Sequence, residues 1–211
     1  MSLAIGQLSL GDIGTNCYLV RSDATATEAV VLDPGDRSDE IVRALEQVGA
    51  RCAGILLTHS HYDHFGALAD LAESAGAPVW LPEGEVDVFR RPGDFFSGIP
   101  MRPYTGNATL LSGGETIQVA GISFQVCHVP GHSPGHLSYY ADGALFSGDV
   151  LFSGSVGRVD LPFGDWDTLL ESIRSLADAY PPETVVLSGH GPATTLGDEL
   201  TRNPFLAELR A

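Results

Sequence analysis

Short apolar segments recur along the whole chain and end at turn residues. Their Val, Ile and Leu content is typical of buried β-strands, and Asp33-Pro34-Gly35-Asp36 is one of the polar turns that separate them. We predict strands at residues 17–20, 29–32, 54–57, 78–81, 116–119, 122–129, 137–140, 144–146 and 184–187. Strands are therefore expected in both halves of the chain.

Amphipathic segments between these strands predict helices on the outside of the sheets. Ser38 is the expected N-cap of a helix whose Ile41 and Leu45 face inward, and Asp165 is the expected N-cap of another. Further helices are predicted at residues 67–75 and from about Pro204. Because strands and helices alternate and no repeat or linker interrupts them, we predict one α/β domain over residues 1–211.

The charge balance narrows the classes of partner. Twenty-seven acidic residues face eleven basic ones, giving a formal net charge of −16, so we expect no nucleic-acid partner. All the basic residues are Arg. The absence of Lys excludes Schiff-base chemistry and phosphate binding by a P-loop, since both need a Lys.

Hydropathy and cysteine usage predict a cytoplasmic location. No apolar run is long enough to span a membrane, and the first residues lack the pattern of a secretory signal, so we expect no membrane partner. Cys17, Cys52 and Cys127 lie far apart in apolar stretches. We interpret them as buried core residues of a protein in a reducing compartment.

The segment Thr58-His59-Ser60-His61-Tyr62-Asp63-His64 carries the strongest chemical signal. In an extended loop His59, His61 and Asp63 face the same way, and His64 approaches from the start of the next helix. Imidazoles with a carboxylate are good ligands for zinc and acceptable ones for iron or manganese. Four ligands so close together do not easily bind one ion, so the spacing suggests two.

Three more candidate ligands each come shortly after a predicted strand: His132, Asp149 and His190. Loops at strand ends are where α/β proteins build their sites. A single carboxylate such as Asp149 has two oxygens and can bridge two cations. These three residues and the first cluster together supply enough ligands for a dinuclear site.

The second histidine cluster contains a false serine-hydrolase motif. Gly131-His132-Ser133-Pro134-Gly135 matches the pattern G-x-S-x-G of a nucleophile elbow. That elbow uses the N–H of the residue after Ser as an oxyanion donor, and Pro134 has no N–H. Ser133 is therefore not expected to be a nucleophile.

Five features, in this order, resemble the motifs of the metallo-β-lactamase superfamily: Asp33 after a strand, His59-x-His61-x-Asp63-His64, His132, Asp149 and His190. Four segments look most like those of the glyoxalase II (hydroxyacylglutathione hydrolase) group: residues 130–136, 145–152, 157–160 and 189–195. The resemblance covers most of the chain. It implies an αββα sandwich of two mixed β-sheets, with helices on the outer faces and metals between the sheet edges.

The resemblance also implies a role for each residue. The first metal ion would be held by His59, His61 and His132. The second would be held by Asp63, His64 and His190. Asp149 would bridge the two ions together with a hydroxide, and Asp33 would orient the loop of the first cluster from outside the ligand shell. His128 and His136 find no ligand position, so we expect them either to be structural or to support the ligands from outside the ligand shell.

Glyoxalase II-like activity implies hydrolysis of a thioester of the S-lactoylglutathione (2-hydroxyacyl thioester) type, a small-molecule substrate. Two divalent metal ions, in the first instance Zn²⁺, would lower the pKa of a shared water to about 7, and the hydroxide would attack the thioester carbonyl. Asp63 would accept a proton during breakdown. Arg158 would contact an anionic substrate tail, or else be an ordinary exposed Arg.

Departures from the two-domain glyoxalase II enzymes point to the shorter single-domain branch. The chain ends soon after His190, without the extra helical domain that helps to bind glutathione. Pro192 and Asp160 stand where glutathione-binding members have Tyr. We therefore expect the glutathione part of a substrate to bind poorly.

Other functions on the same fold remain as alternatives. A mononuclear iron persulfide dioxygenase would use only His59, His132 and Asp149, although Pro192 argues against it; a lactonase is the next alternative. A β-lactamase is disfavoured because the usual enzymes lack a bridging Asp at the fourth motif, and a binding module with a dead site is disfavoured because no ligand is missing. Residues 91–107, rich in Pro and Gly, predict either an active-site lid or a pinned surface loop.

Overall fold

Two mixed β-sheets of six strands each form the centre of the protein, whose computed structural model describes residues 3–210. The first sheet has its strands in chain order: β1 (Ala4–Leu10), β2 (Thr15–Arg21), β3 (Glu28–Leu32), β4 (Arg51–Leu56), β5 (Val79–Pro82) and β6 (Thr109–Leu111). The three pairs from β3 to β6 are parallel, whereas β1–β2 and β2–β3 are antiparallel.

The second sheet is mostly antiparallel and has the order β14-β13-β10-β9-β8-β7. Its strands are β7 (Thr116–Val119), β8 (Ile122–His128), β9 (Leu137–Ala141), β10 (Ala144–Gly148), β13 (Val185–Ser188) and β14 (Thr194–Thr195). Only β10 and β13 run parallel. A small hairpin, β11 (Leu151–Phe152) with β12 (Ser155–Val156), lies between them in the chain.

The described part of the chain also contains six α-helices: α1 (Ser38–Gln47), α2 (Tyr62–Phe65), α3 (Leu68–Ala75), α4 (Val86–Arg90), α5 (Trp166–Ala179) and α6 (Leu196–Arg202). The same residues include 3₁₀ segments at Glu83–Glu85, Pro92–Asp94 and Pro204–Arg210. Within residues 3–210, no helix combines the length and the apolar character needed to cross a bilayer.

Side-chain alternation along β3 shows how the first sheet is covered on both faces. Ala29 and Val31 join one buried cluster, which contains Ile41 of α1, while Val30 and Leu32 join the cluster between the two sheets. This is the period of two that a strand imposes. Because both faces are apolar, the strand reads in the sequence as an uninterrupted hydrophobic run.

The second sheet is covered in the same way. Ala144 and Phe146 of β10 pack between the sheets, whereas Leu145 packs outward against Leu169 and Ile173 of α5. The order of layers is therefore helix, sheet, sheet, helix. The predicted αββα sandwich is confirmed.

One predicted helix cap was wrong. Arg37, not Ser38, is the N-cap of α1: its backbone is left-handed (φ 50°), and its carbonyl accepts the first helical hydrogen bonds. A helix begins at Pro204 as predicted, but it is a 3₁₀ helix, and α6 before it was not predicted. Thr195 caps α6 by accepting from the backbone N–H of Asp198. Pro204 has no N–H to continue that helix, so a 3₁₀ segment follows it. Asp165 caps α5 as predicted, accepting from the N–H of Thr168.

Hydrogen bonds tie the two sheets together at one edge. The Tyr139 hydroxyl of the second sheet donates to the carbonyl of Leu57 at 2.7 Å, and the Leu137 N–H donates to the carbonyl of Thr58 at 2.8 Å. From the first sheet, Asn16 and Tyr18 donate to the carbonyl of Ser188 at 2.9 and 2.7 Å. The loops that leave β4 and β13 at this edge are thereby held in fixed positions.

Candidate metal centre

All seven residues predicted as metal ligands meet at this edge of the sandwich. They form two groups, and within each group all the potential ligand atoms lie within 4.8 Å of one another. The first group is His59, His61, His132 and Asp149, and the second is Asp63, His64 and His190. Each follows the end of a strand or opens the next helix. The structure therefore brings together residues that are up to 131 positions apart in the chain, from His59 to His190.

Three imidazole nitrogens converge in the first group. His61 Nδ1 lies 3.0 Å from His59 Nε2 and 2.8 Å from His132 Nε2, and His132 Nε2 lies 3.5 Å from Asp149 Oδ2. All four residues except His61 are buried. The atoms point at a common centre, as ligands of one ion do.

In the second group, Asp63 Oδ2 lies 3.3 Å from Nε2 of both His64 and His190. Asp149 contacts both groups. Its Oδ1 lies 3.4 Å from His64 Nε2, and its Oδ2 lies 3.5 Å from Nε2 of His132 and of His190. Asp149 therefore lies between the two groups, where a carboxylate that bridges two metal ions would have to lie.

Asp33 determines which ring nitrogen of His64 carries the proton. Its Oδ2 lies 2.9 Å from His64 Nδ1, and a carboxylate only accepts, so Nδ1 keeps its proton. In the neutral form of the ring, the lone pair is then on Nε2 and faces the centre. The same carboxylate accepts from the N–H and the hydroxyl of Thr58 at 2.8 and 2.7 Å.

The effect of Asp33 extends to His59 through Thr58. Because the Thr58 hydroxyl donates to Asp33, its oxygen is left to accept from His59 Nδ1 at 3.0 Å. The proton of His59 is then on Nδ1, so the lone pair of its Nε2 is directed at the centre. Asp33 thus orients one histidine of each group from outside the cluster, the position predicted for it.

His132 is oriented by a contact that the sequence did not indicate. Its Nδ1 donates to the carbonyl of Arg158 at 2.8 Å, which leaves the Nε2 lone pair for the centre. The Arg158 side chain, by contrast, is exposed and forms two hydrogen bonds of 2.7 Å with Asp160. Its predicted contact with substrate stays a prediction.

Unpaired polar atoms indicate that these residues fit metal ions. His64 Nε2 and Asp149 Oδ1 are buried and have no hydrogen-bond partner among residues 3–210. An unsatisfied buried polar atom costs about 1–3 kcal/mol, so such atoms call for a partner. These two atoms lie 3.4 Å apart, and a cation between them, whether a proton on His64 or a metal ion, would stabilise both.

The charge balance supports the same conclusion. Four carboxylate residues around the centre are buried or nearly so, with exposed fractions of at most 12%: Asp33, Asp63, Glu85 and Asp149. Among residues 3–210, their ion pairs are to His alone, and the chain has no Lys. Buried carboxylates need a compensating charge, which divalent cations would supply.

The two groups differ in their affinity for protons. In the first, burial together with His132 lowers the pKa of His61 to about 4, so its imidazole is neutral, the form that metals bind. In the second, the hydrogen bonds to Asp149 and Asp63 raise the pKa of His190 to about 9. Burial alone would lower the pKa of His64, but Asp149 and Asp33 hold it well above its ordinary value. Protons and metal ions therefore compete for the second group.

Glu85 is a buried residue of the site that the sequence analysis missed. Its Oε2 accepts from the N–H of Ser60 at 2.6 Å, and its Oε1 accepts from the Ser133 hydroxyl at 2.5 Å and the Gly135 N–H at 2.8 Å. Ser60 separates His59 from His61, and Ser133 follows His132. One carboxylate therefore joins the two loops that carry the histidines of the first group. A single Glu between two helical segments gives no signal of this role in the sequence.

His136 supports the centre without facing it. Its ring is buried, stacks on that of His59 with centroids 4.6 Å apart, and accepts from the N–H of Asp149 through Nε2 at 3.1 Å. His128 lies further out and hydrogen-bonds the carbonyl of Pro134. Neither belongs to the two groups of potential ligands.

Replacing Ser133 with alanine is expected to leave hydrolytic activity within about tenfold of wild type. Its hydroxyl is buried and engaged by Glu85, and Pro134 cannot provide the oxyanion donor. The loss of a hydrogen bond to a carboxylate should cost about 1.5–3 kcal/mol of stability, measurable by denaturant unfolding. A fall in kcat/KM of more than about a hundredfold in the folded variant would instead support a serine nucleophile.

Known proteins are similar to this chain in sequence or in structure. Hydroxyacylglutathione hydrolase GloC of Haemophilus influenzae is 32% identical over 203 residues, which cover 90% of this chain and 92% of that protein. The crystal structure of BLEG-1 B3 metallo-β-lactamase has a TM-score of 0.89 at 38% identity and covers 97% of this chain and 100% of its own. That of TTHA1623 in a di-iron-bound form has a TM-score of 0.84 at 39% identity and covers 95% and 100%.

The model of the metallo-β-lactamase superfamily matches residues 10–190, which include most strands of both sheets and all seven residues of the metal centre. With its αββα layers and its histidine and aspartate cluster, the chain belongs to this superfamily and is a metallo-hydrolase. The predicted resemblance is thereby confirmed.

Proposed function

We propose that this protein is a dinuclear metal-dependent hydrolase that cleaves a thioester of the 2-hydroxyacyl type, of which S-lactoylglutathione is the example. The observation that carries the proposal is the position of Asp149 between two separate groups of ligand atoms. A mononuclear dioxygenase would need only three of the seven residues. The similarity to a hydroxyacylglutathione hydrolase supports the choice of a thioester.

In this proposal, His59, His61 and His132 hold one ion, Asp63, His64 and His190 hold the other, and Asp149 is shared. When bound, such a pair of ions lowers the pKa of water and polarises the substrate carbonyl. Zn²⁺ is proposed because imidazole and carboxylate ligands suit it, while the di-iron form of a similar protein makes iron the alternative.

Hydrogen bonds with neighbouring residues hold the proposed ligand side chains in place. Asp33, Thr58 and the carbonyl of Arg158 fix the histidine rings, and Thr15 donates to Asp63 Oδ2 at 2.7 Å. Although burial tends to raise the pKa of Asp63, hydrogen bonding from His190 and the charge of His64 hold it at about 2. We propose Asp63 first as a ligand; its role as a proton acceptor during breakdown would be transient at that pKa.

A cytoplasmic location remains part of the proposal. Cys17, Cys52 and Cys127 are all free thiols, which fits a reducing compartment.

The test combines metal analysis with parallel assays. The purified, zinc-reconstituted protein should hold close to two ions per chain by mass spectrometry and should hydrolyse a 2-hydroxyacyl thioester faster than a persulfide, a lactone or a β-lactam. The β-lactam is included because a similar structure is that of a B3 metallo-β-lactamase. A single tightly bound iron ion, with no second site occupied even after zinc reconstitution, would exclude the dinuclear proposal. If kcat/KM is higher for the β-lactam than for the thioester, the protein is a β-lactamase rather than a thioester hydrolase.

A further inference from the structure

Asp63, a residue of the second group, lines a cleft of about 420 Å³. Asp63 and Tyr62 form one wall, the turn between β1 and β2 forms another, and residues 99–101 form a third, while Gly35 and Asp36 also line the cleft. The cleft therefore includes a residue of the metal centre and lies between four separate segments of the chain. A substrate whose reacting carbon lies at the centre can place a substituent in it.

The walls of this cleft expose large apolar side chains. Ile13 is 54% exposed, Tyr62 37% and Ile99 37%, and Met101 lines the cleft beside them. Single exposed apolar residues are common on protein surfaces, but here three of them from distant parts of the sequence line one concave surface. Ligand sites have this character, because apolar walls gain free energy when a ligand displaces water from them.

The charged groups of the cleft all have the same sign. Asp12, Asp36 and Asp63 line it, and its lining residues include no Arg or His. Arg37 lies next to Asp36 in the chain but is engaged by Asp36 and by Glu40. Beyond the metal ion that Asp63 is proposed to hold, the lining residues offer no cation, so an anionic group in the outer part of this space would lie beside the carboxylates of Asp12 and Asp36. The net charge of −16 acts in the same direction.

The third wall is held in place at both ends. Phe96 contacts Tyr62 and Phe65, with ring centroids 5.9 and 6.3 Å apart, and Arg102 pairs with Asp70 and Glu73 of α3 at 2.6 and 2.5 Å. Residues 99–101 lie between these anchors. The cleft is thus formed by packed segments, so its shape is available before a ligand binds.

We propose that this cleft binds an apolar group of the substrate that carries no negative charge, such as a short alkyl or aryl group, and that it disfavours anionic groups such as the glutathione part of S-lactoylglutathione. The inference rests on the proposed function and specifies its substrate class. The apolar group can belong to the acyl part or to the thiol part, and the experiment separates these two sources.

Binding is tested with thioethers, which mimic the substrate but cannot be hydrolysed. Isothermal titration calorimetry would compare a neutral hexyl chain, the same chain ending in a carboxylate, and the glutathione conjugate, using the full chain both zinc-loaded and chelated. We expect the neutral chain to bind at least about tenfold tighter than either anion. Placing the hexyl group on either side of the sulfur identifies the part of the substrate that the cleft accepts.

Three variants test whether the preference for a neutral chain arises in the cleft. Ile13→Ser and Ile99→Ser should each weaken binding of the neutral chain about three- to tenfold, since each removes apolar contact area, and Asp12→Lys should improve binding of the carboxylate-ended chain. Val48→Ser is the matched control, because Val48 is similarly exposed (42%) but lies at the end of α1, outside the cleft. Equal affinity for neutral and anionic chains, or an equal loss in Val48→Ser, would overturn the proposal.

The same series, made as thioesters, distinguishes the two proposals. If the zinc-loaded protein hydrolyses no thioester while the neutral thioether binds selectively, the proposed function fails and the cleft remains a binding site. If thioesters are hydrolysed but a glutathione carrier raises kcat/KM more than about tenfold over a neutral thiol, the cleft proposal fails and the hydrolase remains.

Discussion

Replacing Asp149 with alanine is expected to remove both metal ions together and to lower kcat/KM by at least about a thousandfold. Its two oxygens face both groups of ligands, at 3.4 Å from His64 Nε2 and 3.5 Å from Nε2 of His132 and of His190. The substitution also removes a buried negative charge that would balance the cations, so neither site retains its full set of ligands. Mass spectrometry of the purified variant should find the content falling from about two ions per chain to near zero.

His190→Ala is the comparison for Asp149→Ala. His190 belongs to the second group only and is partly exposed, so its loss should reduce occupancy chiefly at one site and leave close to one ion per chain. Circular dichroism would establish that both variants are folded. Full occupancy of two ions in Asp149→Ala would show that the carboxylate is not shared between the sites.

Asp33→Asn is expected to lower metal affinity at the second site by about 10- to 100-fold, although Asp33 is not a proposed ligand. Asn has the same shape, but its amide nitrogen donates where the carboxylate accepted. His64 Nδ1 would then change from donor to acceptor, which transfers the ring proton to Nε2, the atom that faces Asp63 and Asp149. A protonated Nε2 cannot bind a metal ion.

The tautomer can be observed directly. ¹⁵N NMR of the zinc-free protein, labelled at histidine and held at a pH high enough for His64 to be neutral, should show the proton of His64 moving from Nδ1 to Nε2. Titration with zinc should show weaker binding of the second ion. Asp142→Asn is a matched control, since Asp142 also has a left-handed backbone (φ 45°, against 51° for Asp33) but is exposed in the turn after β9. Unchanged zinc affinity in Asp33→Asn would mean that Asp33 does not determine the state of His64.

Most of the strands that the sequence revealed are buried on both faces, whereas β7 and β8 were predicted although each is exposed on one face. β3, β4, β9 and β10 are nearly continuous apolar runs, because each packs between a helix layer or a loop and the other sheet. β1 was not predicted: it is an edge strand with mostly exposed or half-buried residues, so its composition carries little pattern. Helix ends were misplaced where backbone geometry, rather than side-chain type, sets the boundary, as at Arg37.

The sequence by itself determined the set of candidate ligands. The residues from His59 to His64 are close in the chain, and His132, Asp149 and His190 follow apolar strands, so local spacing and strand ends sufficed to select them. It also determined the family, since the motifs occur in a fixed order from Asp33 to His190, within the residues 10–190 that the family model matches. The candidate ligands and the family both depend on short sequence segments, so they can be recognised without a three-dimensional structure.

Only the tertiary structure decided how those residues are divided, oriented and surrounded. The placement of Asp149 between two groups, the control of two histidine rings by Asp33, and the link that Glu85 makes between two loops all depend on contacts between distant segments. The cleft likewise exists only because Ile13, Tyr62 and Ile99 meet in space. Hydrogen-bond direction and concave shape are set by three-dimensional distances, which the order of residues in one chain does not encode locally.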